Sequence, residues 1–167
     1  MGSDLESANE EAKRRLVPAL EGHGAHLSLE DAVQGFPESL YNEKPPHVPY
    51  TFWHQLEHIR ITQWDLLAYA TNPDHVSPDW PQEYWPALDA RTDRAGWEAT
   101  LLAIRTDRQA FVDLVRDPQR NVLEPVPHMD GRSVMRAALL VIDHTAYHLG
   151  ELVMARQILG AWESALE

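Results

Sequence analysis

The chain has 167 residues, of which 44% are hydrophobic and 24% charged, with a formal net charge of −12 and no cysteine. This length and balance predict one domain over residues 1–167, large enough to fold without a disulfide or a structural metal. The acidic charge argues against nucleic acid as a partner, and the lack of cysteine excludes disulfides, cysteine–zinc sites and an internal thiol nucleophile.

No segment predicts a membrane span or a secretory signal. The longest purely apolar run, residues 137–142, is far too short to cross a bilayer, and the first residues are acidic and polar. Since the chain also lacks cysteine, we expect a cytoplasmic protein with no membrane partner.

Four long segments with helical periodicity lie between proline-rich breaks. They cover residues 4–20, 50–71, 93–116 and 131–160, and the first three show apolar side chains at helical spacing along one face. Pro18 either kinks the first helix or stops it early, and Gly22 and Gly24 end it at the latest. Ser28 predicts the cap of a short helix that reaches residue 34, with Asp31 at the capping-box position.

These segments predict an all-α fold. No stretch alternates with the period of two that strands require, and each apolar helix face must be buried against another helix, which gives a four-helix bundle. The connection over residues 72–92 is long and carries Trp80, Tyr84 and Trp85, so we expect it to pack down and shape a pocket. Four further tryptophans are expected to pack within the protein: Trp53, Trp64, Trp97 and Trp162.

Two of the histidine pairs have the spacing of one helical turn, His54/His58 and His144/His148. This spacing places both side chains on one helix face, which suits a shared metal ion. The second pair lies in the middle of a strong helix among apolar residues. The competing interpretation of that pair is two core histidines satisfied by hydrogen bonds.

A three-ligand metal site needs one more histidine, and the second long helix offers His58 or His54. Position favours His58 only slightly, with His54 at the rim. The other histidines fall in loops or at helix ends, where we expect them to be solvated: His23, His26, His47, His75 and His128.

The segment from His54 to His58 also matches the H-x-x-E-H pattern of inverted zinc peptidases, with Glu57 as the general base. A five-residue pattern arises easily by chance, and those peptidases are far larger than this chain. The sequence therefore disfavours a peptidase.

Two segments resemble the DinB/YfiT-like superfamily. The run DHTAYHLGE from Asp143 to Glu151 is similar to the last helix of that family, and residues 53–67 are similar to its second helix. The resemblance covers most of the chain from about residue 50 onward. It implies an up-down-down-up four-helix bundle and a homodimer, and it implies no binding of nucleic acid.

The resemblance also implies one divalent transition metal, zinc or nickel, held by His58, His144 and His148. Glu151 stands where many relatives have glutamine. Three roles remain open for it: a fourth ligand, an acceptor that orients His148, or a solvated charge.

Three neutral imidazoles leave a bound ion its full charge and an open position, which suits activation of water or of an external thiolate. The resemblance implies transferases and isomerases that use bacillithiol, mycothiol or glutathione. We therefore expect a metal-dependent enzyme of the low-molecular-weight-thiol S-transferase type, acting on a small molecule. The residues expected to act as acid, base or orienting group are Asp65, Tyr147 and Glu151. A water-activating hydrolase and a metal-binding protein without turnover are the alternatives.

Overall fold

The computed structural model describes residues 2–162. Within that range the chain forms five α-helices: α1, Gly2–Leu20; α2, Leu29–Val33; α3, Phe52–Thr71; α4, Arg94–Arg116; and α5, Val134–Ile158. Three short 3-10 turns lie in the connections, over Glu38–Leu40, Gln82–Tyr84 and Pro127–Met129. No β-strand forms in this part of the chain. The predicted all-α fold, with four long helices and one short one, is confirmed.

Local side-chain chemistry sets the helix ends. The Ser28 hydroxyl accepts a hydrogen bond from the Asp31 N–H, and the Asp31 carboxylate accepts one from the Ser28 N–H, which completes the predicted capping box. The first helix continues past Pro18 to Leu20 instead of stopping early. Gly22 follows with φ of +87°, a backbone conformation that glycine adopts without steric cost.

The four long helices pack so that α1 and α3 each contact both α4 and α5. One apolar cluster fills the region around α3 and includes Phe52, Leu56, Ile59, Trp97, Ile104 and Leu152. A second cluster lies towards α1 and includes Leu16, Phe111, Val115, Met129, Ala138 and Val141. Burying each of the larger side chains stabilises the fold by about 1.5–3 kcal/mol.

Among the described helices, none has the combination of length and apolar character needed to span a membrane.

Of the four tryptophans expected to pack within the protein, three are buried or half-buried. Trp97 is only 2% exposed, and Trp53 packs partly buried against the same cluster. Trp162 lies against the Arg156 guanidinium, whose carbon is 4.8 Å from a ring centroid of Trp162. Trp64 lies outside the core: it is 41% exposed and packs edge-on against His75, with ring centroids 5.4 Å apart.

Candidate metal centre

Helix α5 carries two histidines that face inward one turn apart. His144 and His148 lie between Val141 and Leu149, which are both buried, so the apolar face of α5 fixes the direction of the pair. Their ring centroids are 4.5 Å apart. The i, i+4 spacing therefore works as predicted, with both imidazoles on one side of the helix.

Helix α3 supplies the third imidazole. His58 is 2% exposed, and its Nε2 lies 3.0 Å from Nε2 of His144. The ring centroids of His58 and His148 are 4.6 Å apart. One ligand atom from each of the three histidines lies within 4.8 Å of the other two. The structure therefore brings together the three histidines that the sequence singled out.

The connection between α3 and α4 holds the His58 ring in place. The carbonyl oxygen of Tyr84 lies 2.8 Å from His58 Nδ1, so Nδ1 carries the proton and donates it, because a carbonyl only accepts. The ring of Trp85 stacks on the face of the His58 ring, with the two centroids 3.9 Å apart and the two planes nearly parallel. This long connection packs down beside the centre, as predicted, and leaves His58 Nε2 with a lone pair for a ligand.

Glu151 orients His148 in the same way. Its Oε2 lies 2.8 Å from His148 Nδ1, and Gln55 Nε2 donates to that oxygen at 3.0 Å. An ionised carboxylate accepts only, so His148 Nδ1 carries the proton and Nε2 carries the lone pair. Of the three roles left open for Glu151, the geometry fits the acceptor that orients His148. Carboxylate–histidine contacts of this kind fix the tautomer of metal-binding histidines.

The electrostatics of the centre favour neutral imidazoles. Burial, with smaller contributions from His148 and His58, lowers the pKa of His144 to about 3. Burial also lowers the pKa of His58, although the hydrogen bond to the Tyr84 carbonyl opposes this effect. Neutral imidazole is the form that binds metal ions, so His58 and His144 need lose no net proton at neutral pH before they can bind one.

The donor set fits a divalent transition metal. Two lone pairs, on Nε2 of His58 and Nε2 of His148, are defined by the proton positions on the opposite ring nitrogens. Nε2 of His144 faces the first of them at 3.0 Å. Three imidazole nitrogens that converge in this way match a site with three protein ligands and an open position.

Asp65 lies about two helical turns from His58, and its carboxylate is engaged elsewhere. Oδ2 accepts a hydrogen bond from the Tyr84 hydroxyl at 2.6 Å, and Oδ1 lies 2.7 Å from His75 Nε2. Both partners belong to the connection after α3, so Asp65 ties this connection to the helix. The prediction that His75 is solvated is wrong, since its side chain is only 8% exposed. A catalytic role for Asp65 stays a prediction.

Tyr147 is the exposed member of the predicted site residues. It is 64% exposed, and its ring centroid lies 4.9 Å from that of His148. A hydrogen bond to Glu151 raises the pKa of its hydroxyl. The structure therefore places Tyr147 and Glu151 beside the histidines, with Tyr147 on the solvent side.

His54 lies outside the centre. The prediction of a rim position is wrong: His54 is 1% exposed, and its Nδ1 accepts from the backbone N–H of Thr51 at the start of α3. Its Nε2 donates to the carbonyl of Ala87. Glu57 bonds to Arg60 instead of facing the histidines. These contacts remove the peptidase interpretation, because His54, Glu57 and His58 do not form one site.

Sequence reasoning missed several residues that shape the centre. Gln55 lies three residues before His58 on the same face of α3, and this spacing alone could have indicated that Gln55 lies near the centre. The contact from Tyr84 comes from a backbone carbonyl, which no side-chain pattern reveals. For Trp85, the sequence indicates only a connection that packs down, and it does not indicate the stacking on His58.

Fold and site together define a helical protein with a three-histidine centre between two helices. The model of the DinB superfamily matches residues 24–152. This match covers more than half of the 167 residues, so the chain belongs to the DinB superfamily. No curated protein and no solved structure matches the chain.

Replacing Glu151 tests its orienting role. We expect Glu151→Ala to weaken metal affinity by about 10–100-fold, because His148 loses the acceptor that fixes its tautomer. Glu151→Gln keeps an oxygen acceptor, so its affinity should stay close to that of the wild type. Competition with a chromophoric chelator measures both constants.

The matched control is Asp143→Ala, which removes one exposed carboxylate from the same helix beside His144. It should leave affinity within about threefold, because exposed charges interact weakly in water. An equal loss in Asp143→Ala and Glu151→Ala would show that net charge matters and orientation does not.

The metal-free protein should lose stability as the pH falls. His144 has a folded pKa of about 3, against an ordinary value of 6.5, so between these values the unfolded chain binds a proton that the folded chain does not. Stability is therefore retained above pH 6.5 and decreases below it, by at most about 1.4 kcal/mol per pH unit for this one proton. His144→Gln should flatten this decrease in urea unfolding at pH 7 and pH 5, with EDTA present. Parallel pH profiles for the two proteins would contradict the assignment.

Proposed function

We propose that the chain is a metal-dependent enzyme of the low-molecular-weight-thiol S-transferase type. One divalent ion, zinc or nickel, would be held by Nε2 of His58, His144 and His148. The observation that carries this proposal is the convergence of these three imidazoles from two helices. Membership of the DinB superfamily supports it.

A divalent ion in such a site supplies Lewis acidity, which lowers the pKa of a thiol or of water. The chain itself contributes the tautomers and the orientation. Tyr84 and Glu151 hold the protons on Nδ1 of His58 and His148, so that both Nε2 atoms remain unprotonated. Trp85 covers the face of His58 and limits the access of water from that side.

The proposed reaction needs an external thiol, because the chain has no cysteine. The thiol releases its proton to solvent, and its sulfur forms a bond to an electrophilic carbon of the second substrate. The leaving group departs with the bonding electron pair and takes up a proton from solvent. Tyr147, exposed next to His148, is the hydroxyl best placed to donate a hydrogen bond to that leaving group.

We also propose the up-down-down-up order of the four long helices, and three sets of contacts support it. Along α3 and α4, Trp53 meets Thr100 and Gln63 meets Ile104, which suits parallel helices. Along α3 and α5, His58 meets His144 and Gln55 meets Glu151, which suits antiparallel helices. From α1 and the residue after it, Asn9 meets Arg120 beyond the end of α4 and Glu21 meets Arg116 at its last residue; the partner numbers fall as the α1 numbers rise, which suits an antiparallel pair.

The test is a conjugation assay with zinc- or nickel-loaded protein. Glutathione, bacillithiol and mycothiol are each offered with a panel of alkylating electrophiles and epoxides, and products are measured by mass spectrometry. We expect a thioether product that requires added thiol and is absent with His144→Ala. Hydrolysis that proceeds without a thiol would replace the proposal with a hydrolase. Absence of turnover, with stability strongly dependent on metal, would replace it with a metal-binding protein.

A further inference from the structure

An apolar pocket lies next to the histidine centre, between the loop before α3 and the C-terminal half of α5. Its volume is about 200 Å³. The apolar wall is formed by Pro45, Pro46 and Val48 from the loop and by Met154, Ala155 and Ile158 from α5. Met154 and Ile158 are 59% and 62% exposed, so this apolar surface is left uncovered by the described chain.

One end of the pocket is polar and is lined by a residue that also contacts the histidine centre. Gln55 and Glu151 line that end. Oε2 of Glu151 accepts hydrogen bonds from Gln55 and from His148 Nδ1, at 3.0 and 2.8 Å. The same carboxylate therefore borders the pocket on one side and orients a histidine of the centre on the other.

The stacked rings of Tyr50 and Trp85 connect the two regions further. Tyr50 lines the pocket and lies 4.8 Å from Trp85, centroid to centroid, while Trp85 stacks on His58 at 3.9 Å. The Tyr50 hydroxyl donates to Glu151 at 3.4 Å. A molecule in the pocket therefore touches Glu151, which contacts His148, and Tyr50, which is linked to His58 through Trp85.

We propose that this pocket binds an apolar group of the substrate, a single aromatic ring or a short alkyl chain, that carries a neutral or cationic hydrogen-bond donor facing Glu151. The inference rests on the proposed function, since it assigns the pocket to the substrate of the same centre. An apolar cavity of about 150 Å³ accommodates benzene, so the volume suits one ring. It is too small for a folded partner, and it leaves no room for a large cofactor.

The charge of the donor follows from the surroundings. An ionised carboxylate accepts hydrogen bonds and donates none, so a ligand group that meets Glu151 must donate. The net charge of −12 adds repulsion against anions. Benzylamine, which is protonated at neutral pH, and benzoate have the same ring with opposite charge, and they form a matched pair of probes.

The experiment follows methyl resonances of methionine and isoleucine in NMR spectra while benzylamine or benzoate is added to the metal-loaded protein. Ile158→Ser removes part of the apolar wall. Leu139→Ser is the matched control, because Leu139 is an exposed leucine of α5 outside the pocket. We expect benzylamine to shift the Met154 and Ile158 methyl signals, and we expect Ile158→Ser to weaken binding at least threefold while Leu139→Ser leaves it unchanged. Benzoate should bind at least tenfold more weakly than benzylamine.

Unshifted Met154 and Ile158 signals, equal affinities of the wild type and Ile158→Ser, or equal affinities of the two probes would each overturn the inference. The titration is repeated with His144→Ala protein to separate this inference from the proposed function. If the methyl shifts persist in His144→Ala and the wild type is found to bind no metal, the proposed function is overturned and a pocket for apolar amines remains. Metal binding in the wild type without methyl shifts would overturn the pocket alone.

Discussion

Replacing His144 with alanine is expected to abolish metal binding. The wild type, purified without a histidine tag, should contain close to one zinc or nickel ion per chain by elemental analysis, and His144→Ala should contain almost none. Two imidazoles remain in the variant, but the ligand that faces both His58 and His148 has gone. Removing one of three protein ligands leaves a site too weak to keep its ion through purification.

The loss should also appear in thermal stability. Metal at 100 times its dissociation constant stabilises the folded state by about 2.7 kcal/mol, which for a domain of this size raises the Tm by roughly 5–10 °C. We expect this rise for the wild type and none for His144→Ala. His23→Ala is the matched control, since the side chain of His23 is 74% exposed in a loop. Metal content unchanged in His144→Ala would contradict the site.

Replacing Asp65 with alanine is expected to reduce both stability and metal affinity. The Tyr84 hydroxyl and His75 Nε2 would lose a buried carboxylate acceptor, at a cost of about 3 kcal/mol in the free energy of unfolding. The loosened connection would no longer hold the Tyr84 carbonyl on His58, and we expect about tenfold weaker metal binding. Urea unfolding and chelator competition measure the two effects.

This outcome separates a positioning role from the catalytic role predicted for Asp65. A group that only transfers protons would lower turnover and leave stability and metal affinity close to the wild type. The matched control is Asp89→Ala, an exposed aspartate in the same connection. It should change the free energy of unfolding by less than about 0.5 kcal/mol.

The pairing of His144 and His148 was predictable because it depends on short-range geometry. Within α5, the spacing of His144 and His148 fixes their common face whatever the rest of the fold does. The choice between His58 and His54 is different, since spacing alone puts both on one side of α3. That choice depends on Thr51 and Ala87, which engage both nitrogens of His54 and leave His58 for the centre.

The surroundings of the histidines were less predictable because they depend on the path of a long connection. Tyr84 and Trp85 reach His58 across 26 and 27 positions in the sequence, and that path is fixed by the contacts of Asp65. The exposed position of Trp64 shows a related limit. For a tryptophan on an amphipathic helix, the sequence predicts a core position unless the direction of the apolar face is known.

The stacking of Trp85 on His58 gives this protein a built-in optical reporter. An open-shell ion such as nickel, bound to the imidazole beneath that indole, would quench its emission, whereas zinc with its filled d shell would leave it bright. Trp85→Phe would then reduce the nickel-dependent part of the fluorescence, and Trp80, whose ring centroid lies 6.4 Å from that of His58, would still contribute to it. Intrinsic tryptophan fluorescence would thus report both the occupancy of the site and the identity of the ion, without a dye or a label.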